Sequence, residues 1–199
     1  MQVGADEQAT IEQLVKDAQK RDSAALAALY ERFFDQIYRY VSFKSGSGPE
    51  AEDITGDVFV KMLESIHSFK WQGHPFSSWL FRIAHNLIVD YFRRGARKKT
   101  VPLDAAAATV GTTPNDMDRI VETNLTMAGI SVAMQGLTSL QQEVISLRFA
   151  SGLSVSETAG ALGKNDNSVK ALQHVGLRKL RTILAQQPSQ RVATGRGEA

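Results

Sequence analysis

Lys170, Gln173, His174, Arg178 and Lys179 crowd one short stretch near the end of the chain. Arginine and lysine can pair with phosphates or with guanine, and glutamine with adenine, in the DNA major groove. A second group, Phe69-Lys70-Trp71-Gln72-Gly73-His74-Pro75-Phe76, is an aromatic loop whose following segment ends in Arg93-Arg94-Gly95-Ala96-Arg97-Lys98-Lys99. Aromatic faces hold unstacked bases at roughly 1–3 kcal/mol each while basic neighbours follow the phosphates, so this group suits separated strands. The alternative is that Phe69, Trp71 and Phe76 pack between helices, although Lys70, Gln72, Gly73 and His74 make a poor core around Trp71. A third group, Glu52, Asp53 and Asp57, is either solvated surface or a docking face for a basic partner. Paired carboxylates can also hydrolyse or hold metal, but His67, His74, His85 and His174 fall at no ligand spacing from them. The expected chemistry is binding, with no catalytic residue, metal or cofactor, and the protein is not expected to be an enzyme.

The elements that must position these groups are helical. Ser154 and Glu157 form a capping box that starts a helix near residue 155, with Ala159 and Leu162 as its apolar stripe. Gly163 ends it and Asn165 caps the next helix, beginning near Asp166. That is a helix-turn-helix, in which the second helix enters the major groove while the first braces it. Upstream, Ile11, Leu14, Val15 and Ala18 mark a short helix. Ser23 is placed to cap a longer one with Leu26, Leu29, Tyr30, Phe33, Phe34, Ile37, Tyr40 and Val41 on a broad apolar face. Gly46 and Gly48 break the chain, and Pro49 suits the first position of a helix burying Ala51, Ile54, Val58, Met62 and Ile66. Phe76 to Phe92 reads as a further helix, and Thr138 with Gln141 offers another capping box. No alternating strand pattern is present.

The expected architecture is all-α: two small helical bundles joined by a flexible linker, the C-terminal one a helix-turn-helix. The boundaries are 8–95 for the first bundle, 96–113 for a linker of alanine, glycine, threonine and proline, 114–187 for the second, and 188–199 for a disordered tail. A chain of 199 residues with 43% hydrophobic residues can bury two such cores. The net charge of +2 does not by itself announce a nucleic-acid binder; its distribution does, since Glu50 to Glu64 is acidic and Arg82 to Lys99 basic. The absence of cysteine excludes disulfides and thiolate metal sites, and no apolar run reaches the length of a membrane span. A cytoplasmic protein without membrane insertion is expected.

Over roughly residues 12 to 185 the chain resembles the extracytoplasmic-function (group IV) sigma factors of bacterial RNA polymerase, within the sigma-70 family. The resemblance rests on Ala51-Glu52-Asp53-Ile54-Thr55-Gly56-Asp57-Val58-Phe59, on Phe76 through Trp79-Leu80-Phe81-Arg82-Ile83-Ala84-His85-Asn86 to Asp90 and Arg93-Arg94, and on the helix-turn-helix, in that order. It implies an alternative sigma factor that binds core RNA polymerase and directs promoter-specific initiation. The first bundle would be a region 2-like domain, touching the polymerase through Glu52, Asp53, Asp57 and Phe59. The same bundle would melt and read the −10 element through Phe69, Trp71, His74, Phe76, Arg82, Asn86, Arg93 and Arg94. The second, region 4-like, would read the −35 element through Asn167, Ser168, Lys170, Gln173, His174, Arg178 and Lys179. The linker would thread toward the active-site cleft, and an anti-sigma factor would be a further partner. Trp71-Gln72-Gly73 and Leu172-Gln173-His174 look nearer to the developmental sigma factors of filamentous actinobacteria than to stress-response members.

The chain departs from the family pattern at Thr55-Gly56, where many relatives carry glutamine, and at Leu172 and Val175, where arginine is frequent. The competing reading is a stand-alone helix-turn-helix regulator that binds duplex DNA without polymerase. The aromatic loop separates the two, because a duplex-only protein has no use for a base-stacking surface.

Overall fold

The computed structural model describes residues 2–71, 73–98 and 127–186. Leu29, Phe33, Ile37 and Tyr40 recur every three or four positions, and the chain winds them onto the buried face of a helix, α2, over Ser23–Ser45. Its N-cap is Asp22 rather than Ser23: the Asp22 carboxylate accepts from the Ala25 amide at 2.8 Å. Before it, α1 (Gln2–Gln19) is longer than its apolar residues suggested and buries Val15 and Ala18. Gly46 and Gly48 turn the chain with φ of 88° and 138°, and Pro49 opens α3 (Pro49–Ser65) at its first turn. A 3-10 turn, Ile66–Ser68, leads into the aromatic loop and α4 (Phe76–Lys98). α4 runs past Phe92, so positions 96–98 of the expected linker are helical. The rest of that linker, the expected start of the second bundle at residue 114 and the tail of 188–199 lie outside the described residues.

The second lobe comprises α5 (Met127–Gln135), α6 (Ser139–Ile145) continuing into a π-helical turn at Ser146–Ala150, α7 (Val155–Leu162) and α8 (Asp166–Gln186). Both capping boxes form: Thr138 with Gln141 at α6, and Ser154 with Glu157 at α7. Gly163 takes φ 61° and ψ 37°, the left-handed conformation that lets α7 stop and α8 leave at an angle. Asn165 then accepts from the Ser168 amide at 2.8 Å and caps α8. The chain is all-α among the described residues, two helical bundles of which the second is a helix-turn-helix. The bundles pack together: Leu147, Leu153 and Ala161 of the second join the core built by α1 to α4.

Gly56 sits exposed in the middle of α3, and a Cβ built there would meet nothing within 4 Å. A glycine inside a helix is about 1 kcal/mol less favourable than alanine. Gly56→Ala is therefore expected to raise unfolding stability by about 1 kcal/mol, read by denaturant titration, and an unchanged midpoint would show that position 56 is not helical in solution.

Candidate nucleic-acid interface

The aromatic loop divides between core and surface. Phe76 is fully buried and Phe69 is 9% exposed, their rings 5.4 Å apart at 86°. Phe33 and Trp79 close the cluster around Phe76, with centroids 5.7 and 5.3 Å away. Phe69 and Phe76, expected to stack on bases, are core residues that back the loop instead, because four rings packed together leave no open face for a base. Trp71 differs. It lies edge-on to Phe69 at 5.1 Å and remains 37% exposed, held from below with part of its indole open. His74 is half-buried, and its Nδ1 has no hydrogen-bond partner in the protein.

Behind the loop, α4 carries Ser78, Arg82, Asn86, Val89 and Arg93 at steps of three and four, which places them on one stripe. Asn86, Arg93 and Arg94 are exposed, and Arg93 is 3.8 Å from Asp90, a surface pair that does not tie it down. Arg82 donates to the Gly160 carbonyl of α7. The basic residues of this stripe and the half-exposed Trp71 of the preceding loop are the groups that the sequence singled out.

The acidic helix keeps Glu52, Asp53 and Asp57 exposed. Phe59, expected beside them as a contact, is 4% exposed and packs on Tyr30 at 4.7 Å and Phe34 at 6.2 Å, so it supports the surface from inside. Apolar surface accompanies the acids: Val60 and Leu63, which the sequence reading missed, are 54% and 51% exposed, and Tyr30, expected on the apolar face of α2, is 44% exposed instead. A groove of about 210 Å³ lies between Leu26, Ala27, Tyr30, Phe59, Met62 and Leu63. The signal was present in Val60 and Leu63, apolar residues on the outer side of an otherwise charged helix.

On α8, Asn167, Lys170, His174, Arg178 and Lys179 are exposed and Ser168 is half-buried. Lys170, His174, Leu177 and Arg181 share one stripe; Arg181, exposed and two residues beyond the expected set, was recoverable from that spacing. Gln173 is held in place, its Oε1 accepting from Arg148 Nε at 2.9 Å while Arg148 also donates to the Leu153 carbonyl. Arg148 is a positioning residue for the turn that the sequence did not reveal. Leu172 packs against the small core of Val144, Ala159 and Val169, which accounts for an apolar residue at this position.

Between the lobes, Tyr40 donates to Glu143 Oε2 at 2.8 Å and Lys44 bonds Oε1 of the same carboxylate. His85 Nδ1 stands 3.3 Å from Oε2 and from the Tyr40 hydroxyl, a geometry that calls for the proton on Nδ1. Burial pushes the Glu143 carboxyl up, but the His85 hydrogen bond, the Lys44 ammonium and the Tyr40 hydroxyl together outweigh it and hold it down to about 2. Burial, then the Glu143 charge, push the Tyr40 hydroxyl well above its ordinary value. Ser77 donates to Glu157 at 2.5 Å across the same interface. Among the described residues no cluster of histidine, aspartate and glutamate is placed to hold a metal ion, and no helix is long and apolar enough to cross a membrane.

Residues 29–98 match the family model of Sigma-70 region 2 and residues 133–182 that of Sigma-70 region 4, between them more than half of the chain. The ECF RNA polymerase sigma factor BldN of Streptomyces coelicolor is 35% identical over 172 residues. That match covers 86% of this chain, and the chain spans 65% of the length of BldN. The structure of CnrH in complex with the cytosolic domain of CnrY superposes with a TM-score of 0.65 at 22% identity, covering 88% of this chain and 97% of CnrH. That of the sigma factor RpoE in complex with the anti-sigma factor NepR, from Bartonella quintana, gives 0.59 at 21% identity, covering 81% and 98%. At those identities the two structures establish a shared fold.

Proposed function

The chain belongs to the extracytoplasmic-function sigma factors of the sigma-70 family, and from that premise we propose that it binds core RNA polymerase and directs promoter-specific initiation of transcription. The observation that carries this reading is Trp71, half-exposed in the loop that leads into α4 with its exposed Asn86, Arg93 and Arg94, in the same chain as a helix-turn-helix whose second helix presents Lys170, His174 and Arg178 to solvent. One surface suits unpaired bases and the other a duplex major groove. In this reading Trp71, His74, Arg82, Asn86, Arg93 and Arg94 engage the −10 element. Asn167, Ser168, Lys170, Gln173, His174, Arg178 and Lys179 engage the −35 element. Glu52, Asp53 and Asp57, with the apolar groove beside them, dock on the polymerase. The role is regulatory rather than enzymatic and is played in the cytoplasm, where the polymerase works. An anti-sigma factor is a further proposed partner, as NepR is for RpoE.

Trp71→Ala and Asn86→Ala are the test. Opening a duplex costs a few kcal/mol per extruded base, and a preformed stacking partner offsets it. Each substitution is expected to reduce transcription from duplex promoters by about tenfold, in line with 1–3 kcal/mol of lost stacking or bonding, while a template with a pre-melted bubble loses far less. Equal losses on the two templates would remove these side chains from strand opening. A stand-alone regulator would show no dependence on the bubble.

A further inference from the structure

Trp71 stands just beyond the 3-10 turn Ile66–Ser68, and the carbonyls at the end of a helical turn look outside it for partners. Here the partner comes from the far end of the bundle. Gln19, half-buried at the last position of α1, donates from Nε2 to the Ile66 carbonyl at 3.1 Å and to the Phe69 carbonyl at 2.9 Å. The two N–H groups of one amide thus meet two carbonyls, and a single side chain spans the turn and the first residue of the aromatic loop.

The position of Gln19 is itself fixed. α1 stops in a left-handed corner, where the Asp22 amide donates to the Asp17 carbonyl at 3.2 Å and the Arg21 amide to the Ala18 carbonyl at 3.0 Å. Arg21 takes φ 67° there, alone among the described non-glycine residues in having a positive φ. Such a conformation persists where the surroundings over-determine it, and the Gln19 bonds stand on one side of Arg21 and the Asp22 cap of α2 on the other.

Phe69 connects this corner to Trp71. Its backbone carbonyl is held by α1, while its ring packs on Phe76 and Trp79 of α4 at 5.4 and 5.2 Å and meets the Trp71 indole edge-on at 5.1 Å. Two elements therefore fix the residue against which Trp71 rests.

We infer that Gln19 is a positioning residue for the base-stacking loop: by holding the Ile66 and Phe69 carbonyls it sets the Trp71 indole in place before the strands separate. Gln19 acts through the loop backbone and not by touching DNA, and its part rests on the reading of Trp71 as a stacking partner for unpaired bases. A preformed partner offsets the cost of extruding a base, whereas a loop that must first be ordered loses that advantage.

The full-length chain has two tryptophans, Trp71 and Trp79, so fluorotryptophan incorporation lets fluorine NMR read the loop and α4 separately. Gln19→Glu keeps the shape of the side chain but sets acceptors against two carbonyls; Gln19→Lys changes the shape and keeps the donors. Gln19→Glu is expected to shift or broaden the Trp71 signal more than that of Trp79, with the helical circular dichroism unchanged. With core polymerase, it is expected to reduce transcription from a duplex promoter about fivefold or more beyond its effect on the same promoter with a pre-melted bubble, the loss that two ordinary hydrogen bonds produce. Gln19→Lys is expected to recover most of both readouts. A Trp71 signal unmoved by Gln19→Glu would overturn the positioning role, as would equal effects on the two templates while Trp71→Ala still separates them. Equal damage from Gln19→Glu and Gln19→Lys would reduce Gln19 to a packing residue and overturn it as well. Trp71→Ala failing to separate the templates would instead overturn the base-stacking role of Trp71, and with it the part given to Gln19.

Discussion

Phe76→Ala is expected to destabilise the protein by about 3–5 kcal/mol, the range for deleting a fully buried phenylalanine. Phe76 has no exposed surface and joins Phe33 of α2, Phe69 of the loop and Trp79 of α4. A cavity there cannot collapse by moving one side chain, because the ring is shared by three segments. The loss should appear as a fall of roughly 6–20 °C in the midpoint of thermal unfolding, from about 2–4 °C per kcal/mol for a chain of this size. It should also loosen Trp71, whose indole rests on Phe69. A loss below about 1 kcal/mol would show that the ring is not in the core, since exposed substitutions cost about half that or less.

The second large effect is at the acidic face. Asp53 and Asp57 lie one turn apart on α3, both exposed. Converting both to lysine leaves the core intact but presents like charge to a basic partner, which costs several kcal/mol at a complementary patch. An approximately thirtyfold or greater loss of affinity for sigma-free core polymerase is expected, equivalent to about 2 kcal/mol. The difference should shrink as salt rises and shortens the Debye length. Unchanged affinity in a folded double variant would remove Asp53 and Asp57 from the docking surface and leave it to Glu52, Tyr30, Val60 and Leu63.

What could be read from the sequence was local. Ser154 with Glu157, Thr138 with Gln141, Pro49, Gly163 and Asn165 are helix signals whose partners lie within four residues, and each does in the structure what its type requires. Asp22 displaced Ser23 as a cap because both can accept a backbone amide, and composition cannot rank neighbours. The aromatic loop was legible as a group but not ring by ring. Phe69, Trp71 and Phe76 look alike on paper, and only the packing of Phe33 and Trp79 decides that the phenylalanines are inside. Contacts between the lobes were invisible, since Tyr40 and Glu143 are 103 positions apart and Gly160 reads merely as a weak helix former. Arg148 was hidden for a similar reason: its partner Gln173 lies beyond the turn, 25 positions on.

Promoter-specific initiation is tested most directly by adding the purified protein to sigma-free core polymerase with a library of genomic fragments and mapping the 5′ ends of the transcripts. The proposed function predicts discrete start sites that are absent with core alone, that share sequence at the −10 and −35 positions, and that fade with the Asp53→Lys, Asp57→Lys double variant. Transcripts no different from those of core alone, with the protein binding duplex sites tightly in the absence of polymerase, would contradict it.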